Sequence, residues 1–411
     1  MPRRPLRLLA GLTAGVLPMF ALAACTSSSD TDADAAGGSS DESSVSSGGS
    51  NQQTTEKADP FAVDMSLPAK AREVAVDTPV RVTAAVGELE NVVVRAGAKK
   101  LPGKLATDGA SWTLTGDLEP GKTYKVQATG VNDDGSSRTV RESFRTDDLT
   151  LDEQTYPSVA PLDGETVGVG MPVVVTFDLP VANRKAIEKN LSVASKPAVK
   201  GTWHWMSDTE VHYRPKTFWP VGADVDVDVD INSVDAGNGI YGQEDRRVSF
   251  DVGDSVISTV NIATHQMKVE VNGRTARTIP ITTGKPGFET RNGTKVIVEK
   301  FESKTMDAAT TGIQPGDAEY YNISNVQYAM RVTYTGEFIH AAPWSVGSQG
   351  YANVSHGCVG MSTEDAAWLF SISQRGDVVH NVGGNRPLEK GNGYTDWDMS
   401  WAEYKKGSAL S

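Results

Sequence analysis

Phe338-Ile339-His340-Ala341-Ala342-Pro343-Trp344-Ser345, then Ser355-His356-Gly357-Cys358-Val359-Gly360-Met361, is the stretch on which the reading of this chain turns. The strand-like run Val332 to Ile339 ends on His340, and fourteen residues separate that histidine from Ser355. Ser362-Thr363-Glu364-Asp365 supplies a cap and early carboxylates for a helix continued by Ala366, Ala367, Leu369 and Phe370. Cys358 therefore lies in a loop between strand and helix. A thiolate is a strong nucleophile, an imidazole can take the thiol's proton, and glycine lets backbone amides close on a developing oxyanion. These residue types in this order point to nucleophilic acyl transfer through Cys358.

Strand signals surround the site. Ser255 to Val260, Gln266 to Val271 and Thr275 to Thr282 alternate, with Asn272-Gly273 as a tight hairpin turn. Thr294 to Glu299, Tyr328 to Tyr334 and Glu337 to His340 add more. Residues 254–381 thus read as a β-rich domain with one or two helices, followed by a tail over 382–411. In that tail Trp397, Trp401 and Tyr404 fall at i, i+4 and i+7, a staple that packs the tail on this domain rather than a sugar platform.

Upstream the chain is mainly β as well. Residues 58–148 carry strand signals at Val80 to Val86, Glu90 to Arg95, Ser111 to Thr115, Thr123 to Val131 and Arg138 to Thr146, separated by Pro, Gly, Asn and Asp turns. Residues 149–253 open with a connector, Leu149 to Pro161. Strands follow near Met171 to Phe177, Gly201 to Met206, Glu210 to Pro215, Asp224 to Ile231 and Val248 to Val252. Two such modules in tandem predict two immunoglobulin-like β-sandwiches. The aspartates at 224, 226, 228 and 230 share one strand face and read as solvated, because such neighbours do not converge on one ion. Asp235-Ala236-Gly237-Asn238-Gly239 is a glycine-bearing turn and a weak calcium candidate.

The first residues read as an export leader: Arg3, Arg4 and Arg7, an apolar stretch from Leu8 to Leu22, then Leu22-Ala23-Ala24-Cys25, which resembles a bacterial lipobox. That resemblance implies lipidation at Cys25 and a protein anchored by lipid to the outer face of the cytoplasmic membrane, in the cell-wall space. Residues 26–57 are Ser, Gly, Asp, Thr and Gln with almost nothing apolar, a flexible tether with a mean span of about 30 Å. The formal charge is -13, with no basic run beyond the leader, which excludes nucleic acid as a natural partner. Cys25 and Cys358 are the only cysteines, and an isolated thiol kept in an oxidising compartment implies chemical use.

His340, fourteen residues, then Ser355-His356-Gly357-Cys358 is similar to the signature of the L,D-transpeptidases, cysteine enzymes that cross-link peptidoglycan. The lipobox, two sandwiches and β-rich catalytic domain also match the layout of the actinobacterial lipoprotein members. The resemblance implies Cys358 as nucleophile and His340 as base, held in its working tautomer by the main-chain carbonyl of Ala341. His356 would order the loop and polarise substrate or thiol. The amides of Gly357 and Cys358, with a tyrosine hydroxyl, would form the oxyanion hole, Tyr321 being the choice and Tyr320 its rival. Met306, Thr335 and Gly336 would line the substrate crevice, with Trp344, Ser355 and Gly360 completing the substrate-facing set. The implied partners are a donor tetrapeptide stem and an acceptor stem, with carbapenems as inhibitors; no cofactor or metal is implied.

Two departures stand out. The family resembled usually has Asn or Arg where this chain has Gly360, so a side-chain contact would be lost. Thr290-Arg291-Asn292-Gly293-Thr294 lacks the proline of a family turn, with an effect expected on stiffness only. Zinc at His340, His356 and Cys358 would want a fourth ligand. His204, His212, His265 and His380 belong to no motif and read as surface or packing histidines. An L,D-carboxypeptidase, or a cell-wall binding lipoprotein without activity, stays open as an alternative function.

Overall fold

The computed structural model describes residues 57–411, so Cys25, the leader and nearly all of the tether lie outside the described residues. The first module is two four-stranded sheets face to face. One holds Ala62–Met65, Arg81–Val86, Ser111–Leu114 and Gly103–Leu105; the other holds Lys99–Leu101, Glu88–Ala96, Thr123–Val131 and Ser137–Arg145. Alternation drives the packing: Tyr124, Val126 and Ala128 point inward from one strand while Lys125 and Gln127 face water. Tyr124 stacks on Phe144 at 5.1 Å.

The second module repeats the plan. Pro157–Ala160, Val173–Phe177, Glu210–Pro215 and Gly201–Trp205 form one sheet, and Thr166–Val167, Arg246–Val252, Asp224–Val229 and Leu191–Lys196 the other. Val225, Val227 and Val229 are buried, while Asp226 accepts from Ser249 and Asp228 pairs with Arg247 on the outer face. The stretch from Leu149 to Pro161 is more than a connector, because Pro157–Ala160 pairs with Val173–Phe177. The flanking prolines hid a strand in which Pro157 and Val159 turn inward. In the 235–239 turn one Asp235 oxygen accepts from the Gly237 amide at 2.7 Å and the other from Asn183 at 2.9 Å. Among the described residues no group of three or more His, Cys, Asp or Glu is placed to hold a metal.

In the third domain a five-stranded sheet runs Arg274–Pro280, Gln266–Val271, Val256–Asn261, Val378–Val382, Gly293–Val296. A four-stranded sheet runs Glu299–Asp307, Asn322–Arg331, Phe338–Ala341, Val359–Met361. Ile279, Met330, Ile339, Met361 and Leu369 share the core between them. The helix Thr363–Ile372 begins where Ser362 Oγ accepts from the Asp365 amide at 3.0 Å, and Glu364 and Asp365 complement its positive end.

The tail packs on the catalytic domain, as expected, and on the second sandwich as well. Asp398 accepts from the Thr294 amide in that domain, but Trp397 Nε1 donates to Gly170 and Tyr404 Oη to the His212 carbonyl in the second sandwich. Arg214 lies over the rings of Trp397, Trp401 and Tyr404, so the predicted staple closes on a cation from the sandwich. His212 is a packing histidine with a specific job: it sits between Glu210 at 2.9 Å and the buried Asp396 at 3.0 Å. Burial works against its charge, but Asp396 and then Glu210 outweigh that and push its pKa up to about 9.

Candidate active site

The strands Phe338–Ala341 and Val359–Met361 lie parallel, with Ile339 opposite Val359 and His340 opposite Gly360. Because side chains alternate along a strand, His340 and Gly360 project to one face, and Cys358, two residues before Gly360, is delivered to the same side. There a cavity of about 260 Å3 is lined by Cys358 and His340 together with His356, Ser355, Trp344 and Tyr321, among others.

His340 Nδ1 donates to the Ala341 carbonyl at 2.7 Å, which leaves Nε2 unprotonated and able to accept a proton. The ring stacks on Trp344 at 5.9 Å. Burial pulls its pKa below the usual imidazole value, the carbonyl offsetting only part. Cys358 is a free thiol, 8% exposed, whose Sγ contacts the Gly336 carbonyl at 3.6 Å. Burial pushes it up to about 12, against a lesser opposing effect from the Phe338 amide. The resting pair is therefore a neutral thiol and a neutral imidazole.

The loop around the thiol is braced from several sides. Ser355 Oγ donates to the Cys358 carbonyl at 2.7 Å and accepts from the Gly357 amide at 3.1 Å. The Gly357 amide is thus engaged within the loop. Gly357 is needed for its backbone, at φ of 120°, where other residues are strained. His356 Nε2 meets the Glu319 carboxylate at 2.8 Å, while Phe288 and Tyr321 hold the ring at 4.7 and 4.9 Å. These contacts anchor the loop through His356. Tyr321 lines the cavity and is pushed up to about 12 by burial and then by Cys358, so its hydroxyl stays a donor. Tyr320, the rival candidate, lines neither this cavity nor its neighbour. Thr335 and Gly336 border that neighbouring cavity, and Met306 borders both.

The model of the L,D-transpeptidase catalytic domain matches residues 255–380, and a bacterial Ig domain model matches residues 71–235, across both sandwiches. L,D-transpeptidase 2 of Mycobacterium tuberculosis (strain CDC 1551 / Oshkosh) is 36% identical over 364 residues, covering 86% of this chain and 88% of its own. The chain belongs to the L,D-transpeptidase family. L,D-transpeptidase 5 of Mycobacterium tuberculosis (strain ATCC 25618 / H37Rv) is 30% identical over 83% of this chain and 75% of its own. Among solved structures, the LD transpeptidase LdtMt1 in complex with imipenem is 36% identical over 56% of this chain and 99% of its own, with a TM-score of 0.49.

This member of the family has no room for a side chain at Gly360. A Cβ there would meet the Ala342 Cβ at 2.9 Å and the Thr282 Cγ2 at 3.0 Å. Thr282 and Gly360 also exchange two backbone hydrogen bonds of 2.9 Å, so the glycine is wedged between the His340 strand and a second strap. The departure is a local repacking, in which Ala342 and Thr282 take the space.

Sequence reasoning missed the layer beneath the site. Thr290 Oγ1 donates to the Gly357 carbonyl at 2.7 Å and accepts from the Gly284 amide at 2.8 Å. Next to it, buried Glu337 takes the Arg291 amide and guanidinium at 3.0 Å each and the Lys295 ammonium at 2.5 Å. The 290–294 turn therefore carries structural support for the nucleophile loop as well as stiffness. The only sequence signal was the resemblance of that turn to a family motif.

Proposed function

We propose that this chain forms 3→3 peptidoglycan cross-links through a cysteine acyl-enzyme. The observation that carries the reading is the His340–Ala341 hydrogen bond, which leaves a basic Nε2 in the same cavity as the Cys358 thiol. Sulfur attacks the carbonyl joining the third, diamino residue of a donor stem to its terminal D-alanine, and the thiol proton passes to His340. His340 returns it to the departing D-alanine amine, leaving a thioester. The side-chain amine of a second stem's diamino acid then attacks the thioester, gives its proton to His340, and the thiol is regenerated as the new amide forms. The Cys358 amide and the Tyr321 hydroxyl serve the oxyanion.

Incubation of the full chain with a disaccharide-tetrapeptide, followed by product analysis, tests this. Cross-linked dimer and free D-alanine are expected. Hydrolysed tripeptide alone would make the protein an L,D-carboxypeptidase, and unchanged substrate would leave a wall-binding protein. The same thiol would be acylated by carbapenems, read as one adduct by intact-protein mass spectrometry and lost in Cys358→Ala.

The leader and lipobox support a lipid anchor at Cys25 on the outer face of the cytoplasmic membrane, with residues 26–57 spanning towards the wall. Fractionation tests this: wild type is expected with membranes, and Cys25→Ala in the soluble fraction.

A further inference from the structure

A second cavity of about 180 Å3 lies beside the first, bordered by Met306, Thr335 and Gly336 of the expected substrate crevice, and its charged lining has no role in the steps above. Met306 and Tyr321 line both and form the wall between them. Gly336, whose carbonyl faces the Cys358 sulfur, lines the second. The charged lining is Lys304, Arg331 and Asp307. Asp307 is already used, accepting from the Ala309 amide at 2.9 Å and the Asn322 side chain at 3.1 Å. The cations keep donors to spare. The Lys304 ammonium lies 4.2 Å from the centre of the Phe301 ring and pairs with no carboxylate among the described residues. Arg331 gives only Nε to Glu299, at 2.7 Å, and Nη1 to the Tyr334 carbonyl at a long 3.4 Å, its plane resting on Phe338. In a chain with formal charge -13, two cations with unspent donors in a cavity next to the nucleophile are a local reversal of sign.

We propose that this cavity is a carboxylate subsite, in which Lys304 and Arg331 hold a carboxylate of a stem peptide while its reacting group reaches the Cys358 side of the Met306–Tyr321 wall. The inference rests on the peptidoglycan reading above. Two groups have the required chemistry: the C-terminal carboxylate of the donor's D-alanine, and the carboxylate that shares a carbon with the attacking amine of a diamino acid. Converting either to a carboxamide removes the charge that Lys304 and Arg331 would recognise and leaves those cations unpaired.

Calorimetric titration of the full chain carrying Cys358→Ala separates these sources without any turnover. Three tetrapeptide stems are compared: the free acid, its D-alanine carboxamide, and its diamino-acid carboxamide. One carboxamide is expected to bind about tenfold more weakly than the acid, and which one identifies the recognised carboxylate. Adding Lys304→Gln and Arg331→Gln should abolish the difference, and Lys304→Arg should keep it. Because Lys304 makes no ion pair, Lys304→Gln alone should shrink the difference even where Arg331→Gln disturbs packing on Phe338. Equal affinity for all three peptides, or a difference that survives in the double variant, overturns the subsite. Binding of none of them overturns the peptidoglycan reading along with it, whereas binding without discrimination removes the subsite alone.

Discussion

The hydroxyl of Thr290 donates to the carbonyl of Gly357 at 2.7 Å, across 67 residues of chain. The carbonyl and the amide of Cys358 belong to one planar peptide, so fixing the oxygen also fixes the direction of the N–H that faces a developing oxyanion. Thr290→Val should lower kcat for stem cross-linking about 10-fold to 100-fold with little change in KM, and Thr290→Ser should recover most of it. An unchanged kcat in the valine variant would separate Thr290 from the chemistry.

Burial sets the pH behaviour of the catalytic pair. His340 is shifted below the usual imidazole value, so its basic form persists through neutral pH and is lost only as pH falls beneath about 6.5. The acid limb of kcat/KM should therefore lie below that value. The thiol, pushed up to about 12, should be alkylated slowly by iodoacetamide at pH 7 and faster at each step to pH 10. His340→Gln should reduce acylation by a factor on the order of 10² to 10⁴ in stopped-flow measurements.

Gly360→Asn places a family-like residue where Ala342 and Thr282 leave no space. A lower Tm and reduced activity are expected, and Ala342→Gly in the same chain should recover part of both. A fully active, equally stable Gly360→Asn protein would mean that the strap at Thr282 yields freely.

His212 links stability to pH. Its folded pKa, about 9, lies above the ordinary value, so its contribution is complete below about pH 6.5 and is lost as pH rises through about 9. Calorimetric scans should show Tm falling across that window. His212→Gln should remove this slope and destabilise the chain by about 3–5 kcal/mol, since Asp396 would stay buried without its cation.

What could be read in advance follows from physics. Thr123–Val131 and Asp224–Val229 showed themselves by period-two burial, and Cys358 and His340 by residue types that carry chemistry whatever surrounds them. The helix Arg184–Lys189 is six residues long, too short for a 3.6-residue period to appear. Thr290, Lys295, Glu319 and Glu337 act through partners distant in sequence, and alone each looks like any surface residue. Trp397, Trp401 and Tyr404 declared a common face, but spacing cannot say which surface receives it; Arg214 in the second sandwich does.

The segment carrying those three aromatic residues follows, in chain order, both of the bodies it joins. Its contacts can therefore form only after every strand of the two has been synthesised, and they add a late clasp to a seam that the Glu165–Arg375 ion pair and the Gly168 amide already bridge.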